Sequence, residues 1–273
     1  MLIVTLSSIP PRFSRIAPAL NSLLAQTASI DGIYLYIPQS YRRFPDWDGT
    51  LPEVPQGVEI RRTETDLGPA TKILPATRDF AGQDVDILFC DDDRAYARDW
   101  AAGFLRIKAA HPGCAIARRG LMADGLLGTR PTRQLQPRAL SRRENKDIKF
   151  RLKHLWWRLT GKPGRPERRL FHRSGYIDMF EGCSGVLVRP DYFDDAAFDI
   201  PAIAWRVDDV WLSGMLAKAG IPIWLEANML TPQNTDAQTQ APLAAEVIGG
   251  AGRHQVNQAA AQYLQDTYGI WLG

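Results

Sequence analysis

The stretch Val85–Tyr96, VDILFCDDDRAY, runs from an apolar segment straight into three consecutive carboxylates, Asp91, Asp92 and Asp93. The apolar part reads as a buried β-strand bounded by charge. Along an extended backbone, residues i and i+2 point the same way, about 7 Å apart. Asp91 and Asp93 are therefore expected on one face, with Asp92 looking away. At an effective dielectric near 20, two such charges repel by roughly 2 kcal/mol. A divalent cation such as Mg²⁺ or Mn²⁺, which favours carboxylate oxygens, would turn that cost into attraction. A solvated turn with Asp93 capping the next helix accounts for the same residues without a ligand.

Working outward, strands and helices alternate. LIVTL (Leu2–Leu6), GIYLYIP (Gly32–Pro38) and GVEIRR (Gly57–Arg62) read as strands. RIAPALNSLLAQ (Arg15–Gln26) and PATKILPATRDF (Pro69–Phe80) read as helices between them. A helix over Asp99–Ala110 and a strand CAIAR (Cys114–Arg118) follow the aspartates. Later come CSGVLVRPDYF (Cys183–Phe193) as a strand and helix start, DDVWLSGMLAKAG (Asp208–Gly220) as a helix, IPIWLE (Ile221–Glu226) as a strand and Gln255–Gly269 as a closing helix. The pattern predicts an α/β fold with a mostly parallel central sheet flanked by helices. It is expected to be one domain over 1–273, with 225–273 a C-terminal extension. In such sheets ligands bind beyond the carboxyl ends of the strands, which is where the aspartates stand.

The 273 residues are 45% hydrophobic with a net charge of +3, enough for a sizeable core and too balanced to suggest nucleic acid as partner. Three cysteines among apolar or small neighbours predict reduced thiols and a cytoplasmic protein. MLIVTLSSIPPRF lacks a basic region before its apolar run and predicts no signal peptide. No stretch approaches 18 apolar residues, so no membrane span is expected. The charge is unevenly spread. Residues 133–173, a basic insert, hold 14 Lys or Arg against 3 Asp or Glu, a net +11, which leaves −8 for the remainder. Within it KFRLKHLWWRLTGK predicts a basic helix bearing Leu152, Leu155, Trp156 and Leu159 together. An anionic membrane surface is the expected partner, on the inner face of the membrane, with Trp156 and Trp157 inserting at headgroup level.

Four segments together resemble the GT-A fold of nucleotide-sugar glycosyltransferases, most like the family 2 type, over Leu2–Leu126 and Tyr176–Trp224. They are VTLSSIPPRF, TDLGPATKILPA, FCDDD and VDDVWLSGML, in that order. The resemblance implies that Leu6, Ser7 and Arg12 border the nucleoside, with Asp66 near the base and Lys72 on the base or phosphate side. FCDDD stands for the family's D-x-D, with Asp91 near ribose and metal, Asp92 beside the nucleotide, and Asp93 on the metal. EGCSGVLV resembles the glycine-containing strand beside donor sugar and acceptor, which brings in Gly182, Cys183, Ser184 and Gly185. Trp205 could stack on a sugar face, whereas Trp211 falls on the helix's apolar side. A late histidine often joins the metal in such enzymes, which points to His254 ahead of His172. A capping or surface histidine is the plain alternative.

The chemistry suits these residue types. Cleaving a sugar from a nucleoside diphosphate leaves charge on the diphosphate, which a carboxylate-held Mn²⁺ or Mg²⁺ stabilises. An acceptor hydroxyl needs a positioned base, and the resemblance, which places that base second in the acidic pair, implies Asp209, with Asp208 assisting electrostatically or capping the helix. Both acids equally suit a helix N-terminus. The expected function is transfer of a sugar from a nucleotide-sugar donor to a glycan or glycolipid acceptor in surface-polysaccharide or glycoconjugate assembly, with the uridine-linked donor and inversion both implied by the resemblance. In that setting Arg168, Arg169 or Arg173 could instead make the insert a lid over the diphosphate. Rival readings are a sugar nucleotidyltransferase, for which no Gly-rich phosphate loop follows the first strand, and a non-catalytic binder of anionic lipid or glycan.

Overall fold

In a computed structural model of the chain, which describes residues 1–141, 148–161, 170–227, 229–241 and 252–273, the alternation is realised as a sheet with a helical layer on each face. Strands β1 (Leu2–Ser7), β2 (Gly32–Pro38), β3 (Val58–Thr63) and β4 (Asp86–Phe89) run parallel in the spatial order β3-β2-β1-β4. Further along come β5 (Arg94–Ala95), β6 (Ala115–Ala117), β7 (Gly120–Leu121), β8 (Leu140–Ser141), β9 (Phe171–Arg173), β10 (Gly175–Ile177), β11 (Met179–Phe180), β12 (Val186–Val188), β13 (Ile223–Leu225) and β14 (Gln233–Asn234). Of these, β12 joins β4 antiparallel, and β6, β13 and β10 extend the sheet beyond it to eight strands. Only β12 and β10 run against the common direction, so the sheet is mostly parallel.

The strands bury both faces, and period-two alternation sorts their side chains between two cores. Ile87, Phe89, Val186 and Val188 face one core. It is shared with helices α2 (Leu74–Asp79), α4 (Asp124–Leu127), α6 (Asp208–Lys218) and α7 (Arg253–Tyr268). Leu88, Val4, Leu6 and Ile116 face the other, covered by α1 (Ala17–Leu24) and α3 (Trp100–Ala110). The remaining helix, α5 (Ile148–Thr160), belongs to the basic insert, whose base is closed by β8 pairing with β9.

Two helices differ from expectation. Pro10–Arg15 is a 3-10 turn and α1 begins only at Ala17. Pro69–Phe80 is broken into a 3-10 turn over Gly68–Lys72 and α2. Pro75 explains the break: it lacks an N–H, and its ring collides with the carbonyl four residues earlier in a continuous helix. The three cysteines are free thiols, with Cys90 and Cys114 buried. Among the described residues no helix is long and apolar enough to cross a membrane.

Candidate active site

The carboxyl ends of the parallel strands share one edge of the sheet, and the loops leaving them enclose a cleft of about 270 Å³. Ser7 ends β1, Ser8 and Arg12 come from the segment after it, Tyr41 and Phe44 from that after β2, Asp66 and Lys72 from that after β3, and Asp91–Asp93 from that after β4. Because β12 runs antiparallel, the segment before it (Glu181, Cys183) reaches the same edge, and α6 starts there with Asp208 and Asp209.

Lys72 ties the cleft together. Its Nζ donates to Asp91 Oδ1 at 2.8 Å and stands 3.0 Å from Asp208 Oδ2. Asp209 is held from the other side, its Oδ1 accepting the Gly182 N–H at 2.9 Å. A Cβ on Gly182 would lie 2.9 Å from both Asp209 Oδ1 and Lys72 Nζ, so any larger residue there would displace one of these two side chains. Burial opposes the charge on Lys72, but Asp208, Asp91 and Asp209 overcome it and raise its pKa well above the usual value. Burial also works against ionised Asp91, yet Lys72, then Arg94 and Arg12, bring its pKa below the ordinary range. Asp209 goes the other way, pushed up to about 8 by burial and then by the charge of Asp208. Two neighbouring carboxylates with opposite shifts are the arrangement expected where one must hold charge and the other must trade a proton.

The three aspartates do not follow the extended-strand expectation. The strand ends at Phe89 and the chain turns over Asp92 and Asp93, braced by Tyr96, whose hydroxyl accepts from the Asp91 N–H and donates to the Asp91 carbonyl. Asp92 therefore does not look away. It accepts from the Ser8 hydroxyl and from Arg12 Nη1 at 2.6 Å. Asp93 Oδ2 is 3.4 Å from the same Arg12 nitrogen, and its Oδ1 lies 3.3 Å from Arg94 Nε without a hydrogen bond. A turn abolishes the period-two alternation on which the expectation rested. Asp93 is pushed up to about 6 by burial, then by Asp91 and Asp92.

A consequence is that Asp92→Asn removes the nearer of the two carboxylate charges on half-buried Arg12, with Asp93 left 3.4 Å away. Because burial pushes the Asp92 carboxyl up against the pull of Arg12, we expect a loss of only about 1 kcal/mol in urea unfolding at neutral pH, measured against the parent. A loss within the error of the parent curve would show that Arg12 does not depend on Asp92.

Of the other sequence-predicted residues, Ser7 and Trp205 line the cleft, as does Cys183. Burial pushes the Cys183 thiol up to about 11, which disfavours the thiolate near neutral pH. Leu6 is fully buried in the core on the α1 side and does not line the cleft. Asp66 reaches the cleft, but its oxygens accept the backbone N–H groups of Arg42 and Gly68, both at 2.8 Å, so it also anchors its loop. Gly68 has φ +60, and a side chain there would collide with the Trp205 carbonyl. Ser184 is buried, its carbonyl taking the Trp100 indole N–H at 2.9 Å, and Gly185, with φ +92, lies against the Trp100 ring. Trp211 is core.

His254 sits exposed in the first turn of α7, where its neighbour Arg253 lines the cleft and it does not. His172 is exposed on β9. Among the described residues no three His, Cys, Asp or Glu side chains gather as a cation site. Arg168 and Arg169 lie outside the described residues. Arg173 is on β9 with its guanidinium directed to the Arg138 carbonyl, and it is not part of the cleft lining.

The sequence reading missed Tyr41, Arg43, Phe44, Arg94, Glu181, Gln238, Ala241 and Arg253, all of which line the cleft. YRRF directly follows a strand at the binding edge, so position alone could have found the first group. Gln238 and Ala241 arrive because β14 pairs with β5 beside the aspartate turn, and Arg12 Nε donates to the Gln240 carbonyl at 3.0 Å. No local signal announces that return.

No protein-family profile and no curated protein matches the sequence. Similar solved structures include S. aureus TarS residues 1–349 alone, with UDP and with UDP-GlcNAc. Their identities to this chain are 13, 12 and 12%, at TM-scores of 0.42, 0.44 and 0.44. The alignments cover 98, 98 and 96% of this chain and 71, 72 and 71% of theirs. Likeness at that level assigns no activity, and the functional reading stands on the cleft.

Proposed function

We propose that the protein is a GT-A-type glycosyltransferase resembling family 2, which transfers a sugar from a nucleoside-diphosphate donor, uridine-linked, to an acceptor hydroxyl with inversion. The observation that carries this reading is the Asp91–Lys72–Asp208 chain of ion pairs ending beside Asp209, a carboxylate pushed up to about 8 at the wall of an open cleft. A carboxylate with that affinity for protons can accept one from a hydroxyl near neutral pH.

Asp91 and Asp93 fit a divalent cation. Both offer hard oxygens, the Asp91 side chain is partly open to the cleft, and Asp93 Oδ1 is buried without a hydrogen bond. Two carboxylates suffice where substrate phosphates complete the coordination, as is usual for Mg²⁺. When bound, the cation supplies Lewis-acid stabilisation of the diphosphate leaving group. In this reading Arg12 and Lys72 balance the diphosphate charge, Ser7, Asp66 and Asp92 border the nucleotide, and Trp205 with the Gly182–Gly185 segment bounds the sugar and acceptor. Asp209 takes the acceptor proton. The acceptor is a glycan or glycolipid of surface-polysaccharide or glycoconjugate assembly.

A thermal-shift panel of nucleotides and nucleotide sugars, with and without Mn²⁺, tests the reading, because ligand-linked stabilisation reports affinity. A shift that requires both a nucleoside diphosphate or its sugar and the cation is expected. Asp91→Asn and Asp93→Asn should each abolish that joint shift while the ligand-free protein still unfolds cooperatively. A shift with nucleoside triphosphate plus sugar phosphate would instead mean a nucleotidyltransferase. No shift with any of these, in a folded parent, would leave a non-catalytic binder.

A further inference from the structure

Helix α5 presents an apolar stripe to solvent. Ile148, Leu152, Leu155, Trp156 and Leu159 recur at helical spacing and are 53 to 77% exposed. At about 100° per residue they span an arc of roughly 100°, the width of a face that a globular helix would normally bury. The opposite face is aromatic and half-buried: the His154 ring lies against those of Phe150 and Trp157 in tilted contacts, with centroids 5.7 and 5.4 Å apart. Trp157 therefore does not share the stripe with Trp156, contrary to the sequence expectation that both insert together. Between the two faces, Arg151 and Arg158 flank the stripe on one side and Lys153 on the other. The helix contains no Asp or Glu, and the segment around it is the +11 stretch of a chain whose remainder is −8.

We propose that α5 docks the protein on an anionic lipid bilayer, lying in the plane of the headgroups with the Ile148–Leu159 stripe turned toward the acyl chains. Thirteen residues make a helix of about 20 Å, too short for the roughly 30 Å hydrocarbon core, so it lies on the membrane and does not cross it. An apolar stripe edged by long cationic side chains is the form suited to that boundary, because Arg and Lys stems lie along the apolar surface while their heads reach lipid phosphates. A second copy of the chain is a poor occupant. Seating two stripes face to face brings Arg151, Lys153 and Arg158 of both copies together, with no acid on either helix. A nucleic acid would meet the cations and leave the leucines in water. None of these residues lines the cleft, so docking and donor binding are separable.

Vesicle flotation with the full chain tests this. We expect attachment to phosphatidylcholine vesicles containing phosphatidylglycerol, little attachment to phosphatidylcholine alone, and release as salt rises. Leu152→Asp/Leu159→Asp, both at exposed positions, should weaken attachment at least about tenfold and leave the unfolding curve unchanged. Arg151→Gln/Lys153→Gln/Arg158→Gln should weaken it about a hundredfold, at about fivefold per cation near an anionic surface. Equal attachment to neutral vesicles, no attachment to anionic ones, or unaltered attachment of the double aspartate variant would each overturn the proposal. So would a lipid-independent dimer in ultracentrifugation that the same variant dissolves, because the stripe would then be a seam between copies.

Discussion

Asp209→Asn is expected to reduce sugar transfer by at least about 10²-fold while donor binding persists. The substitution keeps the shape of the side chain and its place beside the Gly182 N–H, and removes only the capacity to accept a proton. The loss should fall on kcat, since deprotonation of the acceptor matters at the transition state and not for donor docking. The pH profile gives a second reading. Asp209 must be ionised to act, and it is pushed up to about 8, so kcat/KM of the parent should fall as pH drops below about 8. Stability has the opposite sense. Between about pH 4 and about pH 8 the unfolded chain has released this proton and the folded chain still holds it. This group's contribution, complete below pH 4, is therefore lost as pH rises through that window. Asp209→Asn should flatten that decline in unfolding curves taken across it. Near-parental transfer by Asp209→Asn beside a dead Asp208→Asn would show that the base is the other acid. Activity in both would remove α6 from the chemistry.

Lys72→Met is expected to be the most destabilising single change at the cleft. Lys72 is only 5% exposed and lies against Asp91 and Asp208, with Asp209 adjoining. Removing one member of a buried charge cluster leaves the others uncompensated, which typically costs about 3–5 kcal/mol. The measurement is urea unfolding at neutral pH, repeated under acid conditions, where protonated carboxylates need no partner and the deficit should shrink. Lys72→Met/Asp208→Asn should recover part of the stability without recovering donor binding, since the diphosphate still lacks its cation. A deficit below about 1 kcal/mol at neutral pH would mean that the three carboxylates do not depend on this lysine.

The strands were readable because their patterns are local. Leu2–Ser7, Gly32–Pro38 and the run into Asp91 are apolar on both faces, as a strand sandwiched between helices must be. Helix α6 declared itself by acids in its first turn and Lys218 in its last. Where a local rule was stretched too far, it failed for a local reason: Pro75 stopped a helix that apolar spacing alone would have continued, and a turn replaced the extended geometry assumed for the aspartates.

By itself, the sequence determined that an α/β sheet would form and that Asp91–Asp93 would stand at its carboxyl edge, while Lys72 and Asp208–Asp209 joined them only through the resemblance to known glycosyltransferases. Strand, turn and helix start are each set within about ten residues, and a parallel sheet collects such ends on one side. Only the tertiary structure decided which charge meets which. Asp92 and Asp93 share Arg12 across some eighty positions of chain, Lys72 bridges Asp91 and Asp208, and the β14 return brings Gln238 and Ala241 into the cleft. Those pairings depend on the order of strands in space and on how one turn aims its side chains. Neither quantity is encoded in the spacing of residues along the chain.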